Sequence, residues 1–292
     1  REVSREENLL LSRGSHGTGI HIPYWKQLID PFDPSKGFPG DLGTNNEKVD
    51  ASALISRAKS FINIARTEKI NNNPNFIVEE ASTPVLEGLK RAEKMESNRP
   101  LIPALIAQIY IRRYEDGTKD KTNLSEALVN INRAIKLQKP WFLSSKDSYD
   151  GTFQKIRAYV HFLYGEYINN QDSILSYRYA IKNIDERLSL KPDDVTSWKD
   201  KANYHFYAKE LGNAYASLIK ASKLAPKDPS ILIDMAFILV EKKEYIKACK
   251  DFNRANILLN EGFTRQGSKG VFANDYKQQK KRMKPFTDAL GC

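Results

Sequence analysis

Residues 192–225 read PDDVTSWKDKANYHFYAKELGNAYASLIKASKLA, and residues 226–259 read PKDPSILIDMAFILVEKKEYIKACKDFNRANILL. Each segment spans 34 residues and opens on a proline, Pro192 and Pro226. Laid one over the other, they align Ala202 with Ala236, Ala214 with Ala248, Leu218 with Phe252, and Ala221 with Ala255. A fixed period of this length is the mark of a stacked repeat rather than of a single globular core. Small residues recur where two helices would cross too closely for anything larger, and Leu218 and Phe252 fill the space between neighbouring units.

Working outward, the spacing Ala-x3-Leu/Phe-x2-Ala-x4-Pro is carried by Ala214, Leu218, Ala221 and Pro226, with aromatic residues at Trp198 and Tyr245. These residues resemble the tetratricopeptide repeat, a unit of two antiparallel helices. Such a hairpin buries only part of its apolar surface alone, so the resemblance implies an all-α, right-handed superhelical solenoid of stacked hairpins. Earlier units follow less closely. Ala180, Ile184 and Pro192 keep the second-helix pattern while Arg187 stands where Ala is expected, Ala127, Ile131 and Ala134 repeat it, and Leu89 with Ala92 match weakly. Asn260 replaces the expected proline of the last unit. Five hairpins over roughly residues 49–260 are expected, followed by a terminal helix near Val271–Lys284.

The periodicity supports this without the family. From Val49 onward apolar residues recur at three and four, as in Leu54, Ala58, Phe61, Ile62 and Ala65, or Leu124, Leu128, Ile131 and Ile135. Breaks are expected at Asn71–Asn75, Asn98–Pro100, Asp116–Thr122, Gln138–Asp150, Asn169–Asp172, Lys191–Asp194 and Ala225–Pro229. Residues 1–48 differ, with Pro and Gly breakers between Ile20, Ile22, Tyr24, Trp25, Phe32 and Phe38. They read as an irregular arm, too apolar for a solvated linker, that lies on the protein's own body or on a partner. Residues 261–292 form a third segment, a basic capping helix or tail.

Composition narrows the function classes. The chain has 292 residues, two Cys, and a formal net charge of +10. The apolar runs Leu101–Ile111 and Ile231–Val240 fall well short of the roughly 20 residues a membrane span requires. Cys249 and Cys292 have no metal-ligand spacing, and Cys249 reads as a small packing residue inside a helix. No phosphate-binding loop, zinc-protease or nucleophile-elbow motif is present. His16 and His21 sit in the arm without a carboxylate or Cys partner, and His161 and His205 fall on helices beside aromatics. The expectation is a protein that is not an enzyme, with no catalytic residues, no metal and no cofactor.

Binding is the better prospect. In the family resembled, first helices of successive hairpins line a concave groove that takes peptides, and one subset clamps a terminal carboxylate with a Lys-x3-Asn pair. Lys199 and Asn203 have that spacing and share a helix face. The next unit offers Asp234 in place of a second Asn, which would repel a carboxylate. A groove of Lys199, Asn203, Phe206, Tyr207, Asp234, Phe237 and Glu241 suits an internal peptide or a partner helix better. The function expected is a scaffold or adaptor for protein partners, within a larger assembly and with the arm as a further contact.

Residues 265–292 carry seven basic side chains against two acidic ones, half the net charge. The alternative function is therefore contact with an anionic surface (acidic protein, nucleic acid or membrane) through Lys277, Lys280, Lys281, Arg282 and Lys284. Nucleic acid is the weakest of these, because aromatics for base stacking are sparse. The chain starts on Arg, so it is expected to be processed, trimmed or incomplete. A bacterial periplasmic or cell-envelope location is slightly favoured over the cytoplasm.

Overall fold

The computed structural model describes residues 50–70, 77–144, 150–168, 172–266 and 271–292. The expected arm, with His16 and His21, lies outside the described residues. Every regular element among them is helical: α1 (Ala51–Ile70), α2 (Val78–Met95), α3 (Leu101–Asp116), α4 (Lys121–Ser144), α5 (Thr152–Ile168), α6 (Ser173–Leu190), α7 (Val195–Tyr207), α8 (Leu211–Leu224), α9 (Pro229–Glu241), α10 (Tyr245–Gln266) and α11 (Val271–Leu290). Consecutive helices pack as hairpins, α1 with α2, α3 with α4, α5 with α6, α7 with α8, and α9 with α10. The expected five hairpins and terminal helix are all present. Two boundaries differ from expectation. α4 continues past Gln138 to Ser144, keeping Trp141 half-buried, and α10 runs on to Gln266.

The described residues divide into two compact units, split between α4 and α5. In the first, Leu54, Ala58 and Ala65 of α1 meet Leu89 and Ala92 of α2 and Ile102 and Ile109 of α3 in one buried cluster. Arg113 of α3 fastens α2 from the side, donating to Ser82 Oγ at 2.6 Å and Thr83 Oγ1 at 2.8 Å. Ala127, Ile131 and Ala134 of α4 are fully buried, as the weaker repeat pattern requires.

In the second unit the 34-residue register governs the packing. Ala214, Ala221, Ala236, Ala248 and Ala255 have no exposed surface, and Phe252 is equally buried. Asp194 caps α7 by accepting from the Ser197 backbone N–H and Oγ, and Asp228 caps α9 by accepting from the Ser230 N–H at 2.9 Å. Pro229 opens α9, where a missing N–H costs nothing. Lys209 and Lys243, one period apart, both take positive φ (62° and 61°) in the turns within their hairpins.

One departure from the repeat pattern has a structural explanation. Arg187, where Ala was expected, is a buried ion-pair hub: its guanidinium lies 2.9 Å from Asp194 Oδ2 and 3.2 Å from Asp150 Oδ2. Gly165 faces the Tyr177 ring so closely that an added Cβ would lie 2.3 Å from it. Cys249 corrects the sequence reading. It is not simply a packing residue but is disulfide-bonded to Cys292, with their Cα atoms 5.5 Å apart. α11 packs against α10, and this return brings the chain's last residue to Cys249.

Candidate binding groove

The side chains of interest stand on α7 and α9. Lys199, Asn203 and Phe206 are spaced by four and three residues, and Asp234, Phe237 and Glu241 by three and four, so each trio occupies one helix face. All seven residues expected to form a groove line a single cavity of about 590 Å³. Leu218 and Ile238 contribute to its walls, and Asp200, Arg282 and Phe286 join it as members the sequence did not offer.

Its cations are largely engaged. Lys199 Nζ donates to Ser230 Oγ at 2.6 Å and lies 3.5 Å from Asp228 Oδ2. Lys199 is thus held by the start of α9, which leaves it poorly placed to act with Asn203 as a carboxylate clamp. Arg282 Nη2 donates to Asp234 Oδ1 at 2.7 Å. Its guanidinium also sits 4.8 Å from the centre of the Phe237 ring. Asp200, one period before Asp234, lies 3.3 Å from Lys155 of α5. Burial pushes both carboxyls above the ordinary aspartate range, and the neighbouring cations, Lys155 and Arg282 respectively, only partly offset it.

Aromatic rings line the rest. Phe206 and Tyr207 meet edge-on at 5.8 Å, and Tyr207 continues into a cluster with Phe162 and Tyr177. Phe237 contacts Phe252 behind it and Phe286 beside it, at 5.4 Å and 4.7 Å.

Of the five basic residues expected to contact anions, Lys280, Lys281 and Lys284 line one cavity against α10 and Arg282 lines the groove. Arg282 faces the groove and Lys280 donates to Asn256 of α10, while Lys277, Lys281 and Lys284 are exposed. Nothing in the sequence signalled that Arg282 would pair with a residue 48 positions away.

With the 34-residue register realised as buried alanines, matched caps and paired helices, the architecture is decided. The chain is built of tetratricopeptide-like helical repeats. Solved structures, some of them tetratricopeptide proteins, resemble it at low identity. MamA from Desulfovibrio magneticus RS-1 is 17% identical, over 70% of this chain and 96% of its own, with a TM-score of 0.48. A thermophilic protein of Thermus thermophilus is 13% identical, over 76% and 98%, with a TM-score of 0.49. YrrB, a tetratricopeptide protein with an unusual peptide-binding site, is 13% identical, over 78% and 99%, with a TM-score of 0.42. No family model and no curated protein matches the sequence. No helix among the described residues of this tetratricopeptide-like chain is long and apolar enough to cross a membrane. Those residues also hold no group of three or more potential metal ligands.

Proposed function

We propose that the protein is a non-catalytic scaffold whose α7–α9 groove holds a peptide or helix of a partner protein. The observation that carries this is the cavity of about 590 Å³ in which Asn203, Phe206, Tyr207, Phe237 and Glu241 converge from two repeats. Its size and its lining of aromatic rings interspersed with charged side chains suit a short peptide segment. Asp200, Asp234 and Glu241 bias the lining toward a partner segment with basic residues.

The experiment is a pull-down with the full-length protein, repeated with Lys199→Glu, Phe237→Ala and Glu241→Lys after circular dichroism has shown each to be folded. A partner held in the groove is lost with Phe237→Ala and Glu241→Lys. Retention of every partner by all three variants overturns the assignment.

A second reading draws on the exposure of Lys277, Lys281 and Lys284 on α11. In it the tail meets an anionic surface while the groove acts separately. Replacing these three lysines by Gln should then abolish binding to acidic vesicles and leave groove partners bound. The Cys249–Cys292 bond adds support for an oxidising compartment such as the periplasm or cell envelope.

A further inference from the structure

Part of the groove wall is already covered by the chain itself. α11 packs on α10 and touches α9, bringing Arg282 and Phe286, one helical turn apart, onto Asp234 and Phe237. Arg282 pairs with the carboxylate and stacks on the ring that Phe286 meets edge-on. Over the groove this contact is shallow, since the Arg282 side chain is 48% exposed and Phe286 is 39% exposed, while Met283 between them is buried against the core. What ties the end of α11 down covalently is the bond from Cys249 to the exposed Cys292. Beyond α11 the cavity continues past Asn203, Phe206 and Tyr207, where Asp200 repeats the position of Asp234 one period earlier.

Building on the groove reading above, we propose that its partner is a helical segment presenting a basic residue and an aromatic ring one turn apart, and that α11 is a resident copy kept in place by the Cys249–Cys292 bond. A dithiol reductant opens the latch. Its thiolate attacks one sulfur, the mixed disulfide is resolved by its second thiol, and the two cysteines gain two electrons and two protons as the dithiol becomes a disulfide. Released α11 remains tethered at high effective concentration, so a partner must still compete with it.

The test uses the full-length chain and a fluorescein-labelled synthetic peptide with the sequence of residues 277–290, read by fluorescence anisotropy. Three forms are compared: oxidised, Cys292→Ser, and Cys292→Ser with Arg282→Ala and Phe286→Ala. Binding should be weakest to the oxidised form and at least tenfold tighter to the triple variant, which lacks the bond and the resident Arg282 and Phe286 side chains. Adding Asp234→Asn and Phe237→Ala should remove it, and a peptide with Ala at the Arg282 and Phe286 positions should not bind. Equal binding to the oxidised and triple-variant forms, no binding to any form, or binding indifferent to Asp234 and Phe237 overturns the proposal. If the tail peptide fails while a native partner still depends on Phe206 and Glu241, only this proposal falls. If no partner depends on the groove, the functional reading falls as well.

Discussion

Lys199 Nζ lies 2.6 Å from Ser230 Oγ, so a cation on α7 is held against the first turn of α9. Lys155 on α5 does the same at Thr196 of α7, also at 2.6 Å, and Thr196 and Ser230 are one period apart. Each contact lands where an Asp already caps the helix, Asp194 in one repeat and Asp228 in the next. Cation, hydroxyl and carboxylate thus recur as one junction between successive hairpins. Asp228→Ala removes the cap and the Lys199 partner together. The expected loss is about 1–2 kcal/mol of unfolding free energy, read from urea denaturation.

Ala221 is fully buried in α8 at the point where the repeat demands a small side chain. Ala221→Leu should overpack this crossing and cost roughly 1–3 kcal/mol. A lowered urea midpoint with an unchanged m-value is the expected result. An unchanged midpoint would mean that the helices can separate freely there.

Lys243 holds φ at 61° in the turn between α9 and α10, a conformation that costs a side chain roughly 1–2 kcal/mol. Glycine has no such penalty but gives more freedom to the unfolded chain. Lys243→Gly should raise stability by about 0.5–1 kcal/mol, seen as a higher thermal midpoint.

His161 is pulled down to a pKa of about 4, first by burial and then by the nearby Arg157. Its ring lies 5.3 Å from that of Tyr179. The native state holds it neutral, whereas the unfolded chain takes up its proton near pH 6.5. Its contribution to stability is therefore complete above pH 6.5 and is lost as pH falls from 6.5 toward 4. With the ring partly exposed, that loss should be roughly 1–3 kcal/mol. Urea midpoints of the protein and of His161→Gln, measured across this range, should show the slope in the first and a flatter profile in the second.

Much of this fold was legible because its determinants are local and periodic. Ala214, Leu218 and Ala221 announce a hairpin by spacing alone, and their burial follows from the same register. The groove residues were legible for a related reason, since i, i+3, i+4 spacing on α7 and α9 fixes a shared face. What escaped depends on where the end of the chain returns. Two cysteines 43 residues apart carry no pairing signal, and Arg282 reads as one more charge in a basic tail until α11 lies beside α9. Arg187 escaped differently. A charged side chain at a small-residue position looks like repeat decay, yet burial between Asp150 and Asp194 makes it a replacement for packing.

Site-specific photocrosslinking tests the central claim most directly. A benzophenone side chain placed at Tyr207 would lie in the groove lining, and one at Ile246 would lie on α10 at a position 86% exposed and absent from that lining. Irradiated in native extract, the full-length protein should form a discrete partner adduct from position 207, lost when Phe237→Ala is added, and none from position 246. An adduct from position 246 with none from 207 would contradict binding in the α7–α9 groove.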